Sequence, residues 1–140
     1  MVAIDNLDGF LRTAGLRPTR QRSALAELLF AKGDRHVTAE QLHSEAGAAG
    51  VSVSLATVYN TLNQFTEAGL LREVVVEAGR SYFDTNIDEH HHFFMVDSGH
   101  LVDIPGAMFE AAHMPMAPVG HAVERVDVII RLRGPKPAAV

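Results

Sequence analysis

Four consecutive residues in the second half of the chain, Glu89-His90-His91-His92, carry side chains that bind metal ions. In an extended strand successive side chains point to opposite faces, so His90 and His92 share one face and His91 takes the other. Two imidazoles on one face can ligate a single metal ion, which leaves His91 for a different role. We therefore predict a metal centre where this segment begins a strand.

Acidic and imidazole side chains elsewhere in the chain could complete this centre. The candidate co-ligands are Asp84, Asp103 and His36. The chain contains no cysteine, which excludes a disulfide scaffold, a thiolate zinc site and a cysteine nucleophile. Nitrogen and oxygen donors without thiolate suit Fe(II), Mn(II), Co(II) or Zn(II).

The remaining histidines, such as His43 and His100, are interpreted as surface residues, but some lie near acids that could form a second metal or haem site. This second group comprises Glu89, His91, Glu110, His113, His121 and Asp127. The sequence has no phosphate-binding glycine loop, no HExxH motif and no nucleophile elbow, so it does not predict an enzyme. A small metallohydrolase built on histidine and aspartate is the enzymatic alternative.

Hydrophobic periodicity predicts the elements that must position these residues, and it is helical in the first half of the chain. Four helices are expected to begin near Ile4, Thr19, Thr38 and Ser54 and to end near Gly15, Lys32, Ala46 and Ala68. Pro18 is placed in the first turn of the second helix, and Thr38 with Gln41 predicts a capping box for the third. The apolar face of the fourth helix is assigned to Leu55, Val58, Leu62 and Phe65.

From Leu71 onward apolar and polar residues alternate, which is typical of strands. Strands over 71–77 and 80–84, joined by a turn at Ala78-Gly79, predict a β-hairpin. Short helices followed by a hairpin are the outline of a winged helix-turn-helix domain. We therefore predict an α+β protein with a winged-helix DNA-binding domain over residues 1–84 and a polar hinge over 85–89.

Residues 90–140 are predicted to form a small α/β dimerisation domain. Strands are expected over 90–96, 100–104 and 123–133, with a helix over 106–113 and a frayed tail from Gly134. A segment of this size buries its own apolar faces poorly, so we expect it to complete its core against a second copy. The protein is therefore predicted to be a homodimer.

The formal net charge of −5 conceals a basic first third. Residues 12–35 hold six basic residues against two acidic ones, a local charge of +4, and such a patch matters more for DNA than the overall sum. The predicted phosphate anchors are Arg17, Arg20 and Arg22, and the predicted groove contacts are Ser54, Thr57, Tyr59, Asn60, Thr61 and Asn63. We expect Tyr59 to pack its ring on a thymine methyl group.

The sequence indicates a cytoplasmic protein without a membrane partner. No apolar run approaches the ~18 residues that a membrane span needs. The N-terminal segment has acids, no basic start and no apolar block, so it does not resemble a signal peptide.

Between residues 15 and 133 the sequence resembles the ferric uptake regulator superfamily of bacterial metal-dependent repressors. The matching segments are RPTRQR at 17–22, HVTAE at 36–40, SLATVYNTL at 54–62 and the three histidines at 90–92. The resemblance implies a homodimer in which iron, manganese or zinc controls binding to an AT-rich, palindromic or near-palindromic DNA operator. The superfamily's regulatory metal site matches His36, Asp84, His90, His92 and Asp103, which is the ligand set of its peroxide-sensing branch.

Departures from the superfamily's pattern point to one branch. The first cysteine pair of its structural zinc is replaced by Met95 and Ser98, so a four-cysteine structural zinc is absent. The loss of cysteine, the HHHFF run from His90 to Phe94 and the ending VDVIIRLR resemble the iron response regulator branch of alphaproteobacteria. That likeness implies a repressor of iron homeostasis genes that senses iron through haem, held here by histidine.

Together these inferences predict a mechanism. His36 and Asp84 belong to the predicted DNA-binding domain and the other three ligands to the dimerisation domain, so one metal ion would hold the domains at a fixed angle. That angle would set the spacing of two recognition helices on DNA. The alternative is a peroxide-sensing repressor that uses iron or manganese at the same five residues and is released when His36 or His90 is oxidised.

Overall fold

A computed structural model describes residues 6–105 and 114–135. The chain divides into two compact units, Met1–Ile87 and Asp88–Val140. The helix expected over 106–113, with Glu110 and His113, lies outside the described residues, as do Ile4 and the tail beyond residue 135. The domain bounds drawn from the sequence, with a hinge over 85–89, stay a prediction.

Over its described residues, 6–87, the first unit contains four helices and a three-stranded sheet. Its elements are α1 (Leu7–Thr13), α2 (Arg20–Phe30), β1 (His36–Val37), α3 (Ala39–Ala48), α4 (Leu55–Glu67), β2 (Arg72–Glu77) and β3 (Arg80–Asp84). Strand β3 lies between β1 and β2 and runs antiparallel to both. Helices α2 to α4 and the β2–β3 hairpin match the expected outline. Helix α1 was expected to begin near Ile4 but begins at Leu7, because the side chain of Asn6 caps it. Strand β1 was not expected, because two residues are too few for a periodic signal.

Side-chain caps define where all four of these helices begin. The capping residues are Asn6, Thr19, Thr38 and Ser54, each accepting a hydrogen bond from the backbone N–H three residues later. The capping box between Thr38 and Gln41 is confirmed. The placement of Pro18 in the first turn of α2 was wrong: Thr19 keeps an extended backbone as the cap, and the helix begins at Arg20.

Helix α4 turns one apolar face to the core of the first unit. Val58, Leu62 and Phe65 are fully buried, and a buried side chain of this size contributes about 1.5–3 kcal/mol. Leu55 was wrongly assigned to this face and is 36% exposed, because it is the first residue of α4 and precedes the turns that pack on the core. Gly69, with φ of 79°, follows the C-cap and ends the helix as expected.

In the described part of the second unit, β4 (His92–Met95), β5 (His100–Asp103) and β6 (Ile129–Leu132) form a three-stranded sheet. Strand β4 is central, antiparallel to β5 and parallel to β6. Two predicted strands were too long: β4 begins at His92 rather than His90, and residues 123–128 are not part of β6. Among the residues that the structure describes, β6 pairs with the four residues of β4, and both strands are four residues long. No helix in residues 6–105 or 114–135 is long and apolar enough to cross a membrane.

Candidate metal centre

In the first unit, His36 and Asp84 face each other across the pairing of β1 and β3. They are register partners, and Nε2 of His36 lies 3.0 Å from Oδ2 of Asp84. Asp84 is 1% exposed, and its Oδ1 accepts a hydrogen bond of 2.9 Å from the backbone N–H of Asn86. Because a buried carboxylate is stable only with such partners, the fold holds one nitrogen and one oxygen donor side by side.

Arg35 anchors the strand that carries His36. Its backbone N–H donates to Oγ1 of Thr85 at 2.8 Å, and its carbonyl accepts from the Thr85 N–H at 3.1 Å. These two bonds join the residue before His36 to the residue after Asp84. The Arg35 guanidinium donates to both carboxylate oxygens of Glu45, at 2.8 and 2.6 Å, and this hydrogen bonding lowers the pKa of Glu45 below its ordinary value.

In the second unit, Asp103 contacts two histidines. Its Oδ1 lies 3.1 Å from Nε2 of His90 and 3.2 Å from Nε2 of His92. Asp103 and His92 are register partners on β5 and β4, and the two imidazole rings lie 4.5 Å apart. The donor atoms of these three residues lie within 4.8 Å of one another, which suits a single metal ion.

His90 joins this cluster although it precedes β4, so strand alternation was the wrong reason for pairing it with His92. Its Nδ1 lies 2.5 Å from the carbonyl oxygen of Asp88. In the tautomer that donates to this carbonyl, Nδ1 carries the proton and Nε2 presents a lone pair towards Asp103. Such a bond from the far nitrogen is the usual way in which a protein orients a metal-binding imidazole.

His91 has a structural role in the second unit. Its Nδ1 accepts a hydrogen bond from the backbone N–H of Val128 at 3.2 Å, and its carbonyl accepts from Ile104 at 2.9 Å. Both carboxylate oxygens of Asp127 accept from Nε of Arg125, at 2.9 and 2.7 Å. The described members of the predicted second site are Glu89, His91, His121 and Asp127, and no three of them bring donor atoms together. Since Glu110 and His113 are not described, that site stays a prediction.

Two other histidines were interpreted as surface residues. His100 is exposed, as expected. His43 is half-buried instead, with Nε2 3.1 Å from the carbonyl oxygen of Val53, so it joins α3 to the segment before α4. The sequence did not show this contact because Val53 carries no polar side chain to mark it.

The residues predicted to contact DNA all lie in the first unit. Tyr59, Asn60 and Asn63 are exposed on α4. Thr61 is 4% exposed and was wrongly placed on this face, because it lies three residues after Val58 and four before Phe65, on the side of α4 that packs on the core.

The N-terminus of α4 uses two of these predicted residues for capping. Oγ of Ser54 accepts from the backbone N–H of Thr57 at 3.1 Å and donates to Oγ1 of Thr57 at 2.9 Å. Both hydroxyls therefore stabilise the start of the helix, and a contact of either with DNA stays a prediction.

The three predicted phosphate anchors differ in their surroundings. Arg17 and Arg20 are exposed, whereas Arg22 is half-buried. The Arg22 guanidinium donates to the carbonyl oxygen of Arg17 and to Oε1 of Gln64, both at 2.9 Å. Arg22 therefore joins α2 to α4 within the unit.

Sequence reasoning missed a contact of Tyr59. Its hydroxyl donates to Oε1 of Glu40, in the first turn of α3, at 2.6 Å. The bond lowers the pKa of Glu40 and raises the pKa of Tyr59 from their ordinary values. The acid near the start of α3 was visible in the sequence, but nothing local connects it with a residue on the next helix.

The sequence profile of the ferric uptake regulator family matches residues 13–128. The chain belongs to the ferric uptake regulator family. The ferric uptake regulation protein of Escherichia coli strain K12 is 34% identical over 108 residues, which cover 76% of this chain and 73% of that protein. The same regulator from Shigella flexneri is 36% identical over 102 residues, covering 72% of this chain and 69% of its own length.

Two solved structures share the fold of this ferric uptake regulator family member. The Pseudomonas aeruginosa ferric uptake regulator with manganese gives a TM-score of 0.68 at 26% identity, covering 94% of this chain and 99% of that one. The Vibrio cholerae ferric uptake regulator gives a TM-score of 0.74 at 26% identity, covering 91% and 98%.

Membership confirms the predicted α+β class, with a winged helix-turn-helix domain and a small α/β dimerisation domain. The protein is a metal-responsive transcription regulator with a divalent metal ion as cofactor, and it is not an enzyme. Regulators of this family bind DNA operators and act as dimers. The metallohydrolase alternative is therefore removed.

Proposed function

We propose that the protein represses iron homeostasis genes and that one divalent metal ion, held by residues of both units, controls its DNA binding. The proposed ligands are His36, Asp84, His90, His92 and Asp103. Two compact donor clusters support this proposal: the His36–Asp84 pair in one unit and the histidines around Asp103 in the other. Only residues 85–89 separate Asp84 from His90, so the connecting chain is short.

The donor chemistry fits a divalent metal ion of intermediate hardness. Imidazole nitrogens and carboxylate oxygens without thiolate suit Fe(II), Mn(II) or Zn(II). The hydrogen bond between His90 and the Asp88 carbonyl, and the one that Asp84 accepts from the Asn86 N–H, orient these ligands through atoms that do not face the metal, as outer partners do in metal sites. The similar Pseudomonas aeruginosa regulator was solved with manganese, which makes Mn(II) a reasonable first probe.

Control of DNA binding follows from thermodynamic linkage. A metal ion that favours the DNA-competent arrangement of the two units raises DNA affinity, and DNA raises metal affinity by the same factor. A dimer presents two recognition helices, so the operator is expected to contain two similar half-sites, palindromic or nearly so, rich in A·T pairs. Because regulators of this family bind DNA operators, we propose that the protein works in the cytoplasm.

Titration of DNA binding with Mn(II) tests the metal centre. A fluorescent operator duplex is titrated with the full chain, with and without the metal, and affinity is read from anisotropy. His90→Ala and His92→Ala are expected to weaken metal-dependent binding severalfold or more, while the control His100→Ala, an exposed histidine on β5, stays close to wild type. Wild-type affinity in both test variants would overturn the proposed centre.

We also propose that haem is the iron signal, on the strength of the HHHFF run from His90 to Phe94 and the absence of cysteine. Haem that takes the histidines at 90–92 would compete with the metal ion and release DNA. Haemin titrated into the purified protein is expected to give a Soret band and operator release at the same concentration. Operator release without a specific Soret band, or a Soret band without operator release, would favour a metal sensor that does not use haem.

The peroxide-sensing alternative uses iron at the same residues and has its own signature. Peroxide added to the iron-loaded protein would then insert one oxygen atom into His36 or His90 and abolish operator binding. Mass spectrometry of the digested protein decides between the alternatives, since haem competition leaves both histidines unmodified.

A further inference from the structure

The hydroxyl of Tyr59 is already engaged within the first unit. It donates to Oε1 of Glu40 at 2.6 Å, a short distance typical of a hydrogen bond to an ionised acceptor. Tyr59 lies on α4 and Glu40 on α3, nineteen residues apart in sequence. Tyr59 is nonetheless 39% exposed, so its ring remains accessible while its hydroxyl is held.

Glu40 is itself held in place. It lies in the first turn of α3, where the capping box of Thr38 and Gln41 fixes the backbone. A carboxylate at this end of a helix is favoured by the helix dipole. The pKa of Glu40 is lowered, first by the hydrogen bond from Tyr59 and then by its own backbone amide, so the acceptor is ionised at neutral pH.

The surroundings of the pair give Glu40 a second effect. Glu40, Tyr59 and Asn63 line an open cleft of about 540 Å³ between α4 and the β2–β3 hairpin, together with Glu73 and Arg80. A carboxylate beside a DNA-reading helix repels phosphate, which weakens binding to every sequence. A gain in discrimination among DNA sequences would offset the affinity that Glu40 costs.

We propose that Glu40 is a positioning residue for DNA recognition: by accepting the Tyr59 hydroxyl, it holds the ring in one orientation, so that Tyr59 reads a thymine methyl group through its ring and does not contact phosphate through its hydroxyl. This inference rests on the proposed binding of α4 in the major groove. Glu40 would then have two opposite effects: it raises discrimination among DNA sequences, and it lowers the affinity for DNA of any sequence.

Three substitutions separate the hydrogen bond from the charge. Glu40→Gln removes the charge but keeps an acceptor oxygen, Glu40→Ala removes both, and Tyr59→Phe removes the donor but keeps the charge. Glu73→Gln is the matched control, because it removes a charge from the same cleft without removing either member of the hydrogen bond.

The probe is a duplex selected from random-sequence DNA by the Mn(II)-loaded wild-type protein, in which each thymine is replaced in turn by deoxyuridine. Loss of one contacted methyl group is expected to lower the DNA affinity of the wild-type protein about fourfold per half-site. Glu40→Gln should keep this discrimination, whereas Glu40→Ala and Tyr59→Phe should reduce it below about twofold. Binding to random DNA should tighten about twofold in Glu40→Gln, Glu40→Ala and Glu73→Gln, and should not change in Tyr59→Phe.

The double variant Glu40→Ala/Tyr59→Phe shows whether Glu40 acts through Tyr59. If it does, the double variant discriminates no less than either single variant. Full discrimination in Tyr59→Phe, or a further loss in the double variant, would overturn the proposal. Equal loss on selected and random DNA in Tyr59→Phe would show that the hydroxyl contacts phosphate instead. If the wild-type protein selected no sequence, specific DNA binding itself would be refuted. If it selected a sequence but did not respond to deoxyuridine, the contact of Tyr59 with a thymine methyl group would be refuted instead.

Discussion

Asp84 lies opposite His36 in the register of β3 and β1, with Oδ2 3.0 Å from the imidazole Nε2. The carboxylate is 1% exposed, whereas the histidine side chain keeps 16% of its surface accessible. Strand pairing alone therefore brings these two donors together. Their half of the proposed centre is formed by the fold of the first unit and does not depend on the metal ion.

The first prediction concerns the charge of Asp84. Asp84→Asn keeps the size of the side chain and an acceptor for Asn86, but it removes the anionic donor. We expect the affinity for Mn(II) to fall by more than about tenfold, because loss of even an outer partner of a metal ligand costs this much. Isothermal titration calorimetry measures the change. Asp34→Asn, an exposed acid two residues before His36, is the control and should bind like wild type.

The second prediction follows from the pairing of Glu45 with Arg35, which lowers the pKa of Glu45 from its ordinary value of 4.5. A lowered pKa means that the pair stabilises the fold above the pKa of the unfolded chain and that this gain disappears as the pH falls through the folded value. We expect Glu45→Gln to lose about 0.5–1 kcal/mol at neutral pH, because both side chains are partly exposed.

Urea denaturation across the acidic range checks this pH dependence. The stability difference between Glu45→Gln and wild type should shrink towards zero as the carboxyl becomes protonated. Glu27→Gln, at an exposed position of α2, should show little difference at any pH. A deficit in Glu45→Gln that is the same in acid and at neutral pH would rule out the ion pair as its cause.

The third prediction separates two arginines of the basic patch. If Arg20 contacts a phosphate as predicted, Arg20→Gln should reduce the slope of operator affinity against salt by about one. Arg22→Gln should instead lower the free energy of unfolding by about 1 kcal/mol, because its hydrogen bonds to Gln64 and to the Arg17 carbonyl are lost. If Arg22→Gln changed the salt slope and left stability intact, its role within the unit would be refuted.

The fourth prediction concerns the dimer. The chain has no cysteine, so no thiolate zinc can support the association of two copies. We expect the dimer to persist in excess chelator. Sedimentation velocity measures the oligomeric state with and without the chelator. Dissociation by chelator alone would mean that a metal ion bound through histidine and carboxylate holds the two copies together.

Local sequence signals determined the caps of α2, α3 and α4 and the hairpin. A cap such as Thr38 contacts a backbone group only three residues away, so the residues that decide where a helix begins lie close together in the sequence. The same holds for Gly69, whose positive φ ends α4. Alternating apolar residues likewise predicted β2 and β3. The absence of cysteine and the run of histidines also predicted, without the fold, that a metal ion would be bound by nitrogen and oxygen donors.

Tertiary structure decided which of these residues meet. His36 and Asp84 are far apart in sequence and meet only because the two-residue strand β1 pairs with β3, and β1 is too short to be predicted from periodicity. The bond between Tyr59 and Glu40 likewise depends on the packing of α3 against α4. The physical reason is that helix caps and alternation act within one turn or one strand, whereas contacts between distant side chains are fixed by how whole elements pack, and a single sequence carries no local mark of that packing.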